Sequence, residues 1–129
     1  MTIYWFEDLA TGIPDVDAQH QDLIAMINEL DEAIATRQGI SRLSQLTDGL
    51  ILYARHHFAT EERLMAESGY RYMAEHLKEH EQFGERVMAI AFESDAPENH
   101  PRAVSEFLHK WLIEHIGTVD KLMGECLAG

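Results

Sequence analysis

Cysteine is nearly absent: Cys126 stands alone, which excludes a disulfide within the chain and fits a reducing compartment. Basic side chains are scarce as well, ten Lys and Arg against 23 Asp and Glu, for a formal charge of −13. Nucleic acid and acidic membrane surfaces both call for a basic stripe, so neither is expected as a partner. No Lys or Arg precedes Arg37, which argues against a secretory signal or a transit peptide. No apolar run approaches the length of a membrane span. The expectation is a cytoplasmic protein. Strand-like alternation is missing too, and 129 residues suit one domain, 1–129, with a core of its own.

What is present is helical periodicity. Val16, His20, Leu23, Ile27, Leu30 and Ile34 share one face of a first helix, with Asp15 or Asp17 placed to cap its start and Gly39 just past its end. A second helix starts near Ser41, carries Leu43, Leu46, Leu50, Tyr53, His57, Glu61 and Leu64, and stops at Ser68 and Gly69. The third runs from about Tyr70 to Glu93 with Met73, His76, His80, Phe83, Val87 and Ile90. A turn-rich stretch, Asp95 to His100, leads to Pro101 at a first helical position. Val104, Leu108, Trp111, His115, Val119 and Leu122 follow on one stripe. Residues 1–14 form an N-terminal arm in which Tyr4, Trp5 and Phe6 are available to pack. Long helices with short connections predict an all-α, antiparallel up-down-up-down four-helix bundle.

Eight histidines are the anomaly of composition. His20, His57, His76, His80 and His115 lie inside the apolar stripes, as does Glu61; His56, His100 and His109 lie outside them. Polar groups at core positions are the informative kind. In antiparallel order, His20 is early in its helix, His57 and Glu61 late, His76 and His80 early, and His115 late, so all six converge at one end of the bundle. So many buried polar groups without partners are costly, and a metal would satisfy them. Asp120 follows His115 by five positions, about 140° round a regular helix, so it joins the set only if the helix departs from regularity there. Gly117, between them, makes a departure cheaper.

The ordered set resembles the hemerythrin family, and within it the single-domain bacterial hemerythrins. The resemblance spans essentially the whole chain: Trp5 in the arm, Asp17-Ala18-Gln19-His20, His57-Phe58-Ala59-Thr60-Glu61-Glu62, His76-Leu77-Lys78-Glu79-His80 and His115-Ile116-Gly117-Thr118-Val119-Asp120. It implies a non-haem site of two iron ions with an oxo or hydroxo bridge. Glu61 and Asp120 would bridge the irons, His76, His80 and His115 would serve one, and His20 and His57 the other, which keeps an open position. It further implies reversible dioxygen binding there, end-on as a hydroperoxide, for transport, storage or delivery rather than catalysis. Leu23, Ile24, Ile27, Trp111 and Leu112 are the candidate dry wall of that pocket, and Gly117 would leave it more open than usual. An oxygen-consuming enzyme or a reductase would be the protein partner.

Other readings explain less. His76-Leu77-Lys78-Glu79-His80 also matches the H-x-x-E-H of inverted zinc peptidases, but this leaves His20, His57, Glu61 and His115 idle. Glu106-Phe107-Leu108-His109 matches the E-x-x-H of carboxylate diiron oxidases, an architecture that needs two such motifs. The alternative that keeps the irons is an enzyme handling peroxide or nitric oxide, or a redox or oxygen sensor; a sensor would need an output domain.

Overall fold

The computed structural model describes residues 3–93 and 100–128, and the described residues are helical, with no strand. A single 3-10 turn at Glu7–Leu9 precedes α1 (Pro14–Ala35), α2 (Ile40–Ser68), α3 (Met73–Glu93) and α4 (His100–His115). Beyond His115 the chain continues through a π-helical turn, Ile116–Asp120, into α5 (Lys121–Ala128). α1 packs on α2 and α4, and α3 closes the ring by packing on the same two. Neighbours run in opposite directions: Arg42 at the start of α2 reaches Glu29 late in α1 at 2.9 Å, and His57 late in α2 reaches Gln19 early in α1 at 2.7 Å. The predicted four-helix bundle is the fold. No helix among the described residues is long and apolar enough to cross a membrane.

Helix ends differ from the sequence expectation where long-range bonds decide them. Pro14 opens α1 behind Ile13, and neither Asp15 nor Asp17 caps it. Asp17 instead turns back on the arm, accepting from the backbone N–H and hydroxyl of Thr11 at 2.7 and 2.8 Å and from the Gly12 N–H at 3.2 Å. Gly39 does not end α1; it precedes α2, and Arg37 takes the left-handed turn instead, at φ 56°. Gly69 does end α2, at φ 67°, where a residue without Cβ is least strained. α3 begins at Met73 rather than Tyr70, whose ring is buried with Val16, Met65 and Met123. His100 is the first residue of α4, ahead of Pro101, and the expected turn at 95–99 lies outside the described residues.

The main core joins Leu23, Ile24 and Ile27 of α1, Leu50, Ala54 and Phe58 of α2, Phe83 and Ile90 of α3 and Val104, Leu108 and Leu112 of α4. In the arm, Tyr4 and Phe6 are exposed, against expectation, while Leu9 is buried and Trp5 partly so. The arm is tied down by polar bonds: the Ile3 N–H and carbonyl pair with the Asn28 amide at 2.8 and 2.7 Å, and Lys121 Nζ donates to the Asp8 carbonyl at 2.7 Å. Past His115 the predicted stripe fails. Val119 is only half-buried and Leu122 exposed, whereas Ile116, Asp120 and Met123 are buried. A π turn holds one residue more than an α turn, so every later position shifts its face by one.

Candidate metal centre

The end of the bundle carrying His20, His57, His76, His80 and His115 is also where the π turn lies, and Glu61 and Asp120 sit among the five imidazoles. All seven side chains are buried, Glu61 and Asp120 completely. They form two groups whose candidate ligand atoms lie within 4.8 Å of one another: Glu61, His76, His80, His115 and Asp120 in one, and His20, His57, Glu61 and Asp120 in the other. The two carboxylates belong to both.

Each carboxylate divides its oxygens between the groups. Glu61 Oε1 is 3.0 Å from His80 Nε2 and 3.5 Å from His76 Nε2, whereas Oε2 is 3.5 Å from His57 Nε2 and 3.9 Å from His20 Nε2. Asp120 Oδ1 is 2.9 Å from both His76 Nε2 and His115 Nε2, whereas Oδ2 is 2.8 Å from His20 Nε2 and 3.9 Å from His57 Nε2. Each carboxylate thus faces both groups, one oxygen toward each. Asp120 arrives there through the π turn, which returns a residue five positions after His115 to the same face.

The buried polar atoms fit a metal. Among the described residues, each buried side-chain nitrogen or oxygen without a hydrogen-bond partner belongs to this cluster, including His57 Nε2, His76 Nε2, His115 Nε2, Glu61 Oε2 and Asp120 Oδ1. His76 and His115 approach Asp120 Oδ1 closely, yet without the angles of a hydrogen bond. Imidazole and carboxylate donors in this ratio suit iron and its first-row neighbours. Burial pushes the His57 imidazole down to about 4, helped by neighbouring His20. Burial, then His115 and His76, push His80 down to about 3. Both are therefore neutral, with a lone pair free for a cation. Burial and the adjacent Asp120 push Glu61 well up. Burial alone would raise Asp120 too, but the charge of the adjacent His115 holds it well below the carboxylate range. The same pairing lifts His115 above its usual value in spite of burial.

Three more side chains hold the imidazoles from behind. Gln19 Oε1 is 2.7 Å from His57 Nδ1, Glu62 Oε2 is 2.9 Å from His80 Nδ1, and Glu79 Oε1 is 3.3 Å from His115 Nδ1. Sequence reading misses Gln19 and Glu79; for Glu62, off the face of Glu61, it leaves two roles, solvated or behind a ligand, and the second is the one the structure shows. The signal that could have found them is adjacency: each is next in sequence to a cluster residue, about 100° round its helix, and so faces the neighbouring helix's histidine. Two aromatic rings stack on the cluster, Phe58 on His80 at 4.0 Å between centroids and Trp111 on His115 at 4.5 Å. Phe83 braces both, and neither Phe58 nor Phe83 was foreseen as part of the site.

Of the expected wall residues, Leu23, Ile24, Ile27 and Leu112 are buried in the core, and half-buried Trp111 stands against His115 of the three-histidine group. A Cβ built at Gly117 would point at Leu9 of the arm, 3.9 Å away. His56 is exposed, and His109 pairs with Asp31 on α1 rather than with the cluster. Cys126 is exposed as well.

Comparison with known proteins agrees with the helical-bundle fold. Residues 11–127 match the family model described as the hemerythrin HHE cation binding domain. The chain is 35% identical to a bacteriohemerythrin of Stenotrophomonas maltophilia over 88% of its own length and 74% of that protein's. It is 32% identical to a bacteriohemerythrin of Methylococcus capsulatus, over 94% and 92% of the two chains. A crystal structure of wild-type hemerythrin superposes with a TM-score of 0.84 at 30% identity, covering 100% of both chains.

Proposed function

The chain belongs to the hemerythrin family, and from that premise we propose that its buried cluster holds two iron ions and binds dioxygen reversibly. The observation that carries this reading is the sharing of Glu61 and Asp120 between two groups of buried histidines. In the proposed arrangement, His76, His80 and His115 would hold one iron and His20 and His57 the other, with Glu61 and Asp120 shared between the two groups. When bound, the irons would supply the reversible electron exchange that dioxygen binding requires.

The rest falls to the chain's own side chains. Neutral imidazoles present lone pairs without first losing a proton. The stacked rings of Phe58 and Trp111 fix the planes of His80 and His115. Leu23, Ile24, Ile27 and Leu112 keep water from the site, and water exclusion is what separates reversible binding from irreversible oxidation. In this proposal the protein is a carrier rather than an enzyme, delivering dioxygen to an oxygen-consuming partner.

Anaerobic iron loading, admission of air and then removal of dioxygen test the reading. A visible charge-transfer band that appears with air and disappears on deoxygenation is the expected result. Irreversible bleaching, or catalytic loss of added peroxide or nitric oxide, would replace carriage with enzymatic turnover. Absence of bound iron would remove the site altogether.

A further inference from the structure

The three groups behind the imidazoles are unequal. Glu62 and Glu79 are carboxylates, and both back histidines of the three-histidine group; Gln19, behind His57, is an amide. Its orientation is fixed by its neighbours. The Thr60 hydroxyl donates to the His56 carbonyl at 3.2 Å, so toward Gln19 it can only accept. Gln19 Nε2, at 3.1 Å, is therefore the donor, and Gln19 Oε1 must face His57 Nδ1. That nitrogen carries the proton, which leaves the lone pair of His57 at Nε2, beside Glu61 Oε2 and Asp120 Oδ2. His20, the other histidine of this group, has no hydrogen-bond partner at Nδ1 among the described residues.

Resting on the reading of the cluster as an iron site, we propose that Gln19 is a positioning residue that locks His57 in this tautomer and makes the His20–His57 side the electron-poorer half of the centre. A carboxylate accepting from Nδ1–H draws the proton toward itself and makes the imidazole a stronger donor; a neutral carbonyl does so far less. The three-histidine half is thus pushed toward the oxidised state by Glu62 and Glu79. The half with fewer histidines is not, and it favours the reduced metal that has to be recovered each time dioxygen leaves. Thr60 belongs to the device, because without its acceptor oxygen the Gln19 amide is free to turn over.

The test compares the iron-loaded wild type with Gln19→Glu, Gln19→Leu, Thr60→Val and Glu79→Gln, reading iron content, reduction midpoint potential and helix content. Gln19→Glu, nearly isosteric, is expected to keep its iron and lower the midpoint; Glu79→Gln is expected to raise it. Gln19→Leu is expected to lose about 10- to 100-fold in affinity for one of the irons. Thr60→Val should move in the same direction as Gln19→Leu by less. Should Gln19→Leu lose helix content, Gln19→Glu decides alone. A midpoint in Gln19→Glu equal to or above that of the wild type overturns the inference while leaving the iron site standing. A wild-type chain that takes up no iron overturns both.

Discussion

Asp120 Oδ1 lies 2.9 Å from His115 Nε2 although the two residues are five positions apart. A regular α-helix would carry Asp120 about 140° away; the π turn Ile116–Asp120 returns it to the face of His115. Deleting Thr118, whose side chain is exposed, removes one residue from that turn and no buried group. The expected result is a folded chain that has lost the shared carboxylate and with it most of its iron. Metal analysis and circular dichroism check this together, and full iron uptake by the deletion variant would show that the π turn is incidental.

The doublet His56-His57 gives a second contrast between adjacent residues. His57 is fully buried and points Nε2 at Glu61 Oε2, whereas His56 is exposed, its ring 5.8 Å from that of Tyr53. His56→Gln should leave iron content and thermal stability unchanged within about 0.5 kcal/mol, as surface substitutions usually do. His57→Gln should lose iron. The reverse pattern, read by metal analysis of both variants, would reassign the ligand.

These two contrasts also mark how far the sequence could be read. Periodicity of the stripes and the order of the histidines along them were enough for a four-helix bundle with its polar cluster at one end, because both depend on one helix at a time. The H-x4-D spacing even flagged an irregular turn after His115. An unbroken stripe would bury Val119 and Leu122, whereas the inserted residue moves burial to Asp120 and Met123. Helix starts were misjudged where a side chain reaches another segment, as Asp17 does to Thr11 and Gly12. Gln19 and Glu79 were missed for a related reason. Each lies off its own helix's apolar face and acts on a histidine of the next helix, a relation that exists only once the helices are packed.

Two glycines near the arm separate close approach from mere tolerance. A Cβ on Gly124 would lie 2.1 Å from the Thr11 carbonyl oxygen, a backbone atom of the arm, whereas one on Gly117 would meet only a Leu9 methyl at 3.9 Å. Gly124→Ala must push the arm off α5 and is expected to cost about 1–3 kcal/mol, in the range of overpacked cores. Gly117→Ala is expected to change stability by less than about 1 kcal/mol. Chemical denaturation of the two variants tests the ordering, and equal costs would mean that the arm yields freely at Thr11.

Acid should weaken the metal-free fold through its buried imidazoles. Folded His57 and His80 titrate at about 4 and about 3, chiefly because burial opposes their charge. In an unfolded chain the same groups titrate near ~6.5. Between those values the unfolded chain binds protons that the folded chain refuses, so stability falls as pH falls through the window. Asp120, held low by His115, adds to the loss on the acid side. His115 opposes it, since its raised value contributes stability that is present below about 6.5 and lost as pH rises through the folded value. Glu61, pushed up by burial and Asp120, opposes it too, with stability present below about 4.5 and lost as pH rises through its folded value. Asp120 acts only below about pH 4, so between about pH 6 and about pH 4.5 two histidines are set against Glu61 alone, and the Tm of the metal-free protein should drop as pH falls through that interval. Calorimetry in the presence of a chelator, stepped through that interval, measures it. Metal added back should raise Tm most at the neutral end, where protons do not compete for the same nitrogens. A Tm that stays level across the interval would mean that water reaches His57 and His80 in the metal-free state, and the cluster would then be less closed than its burial indicates.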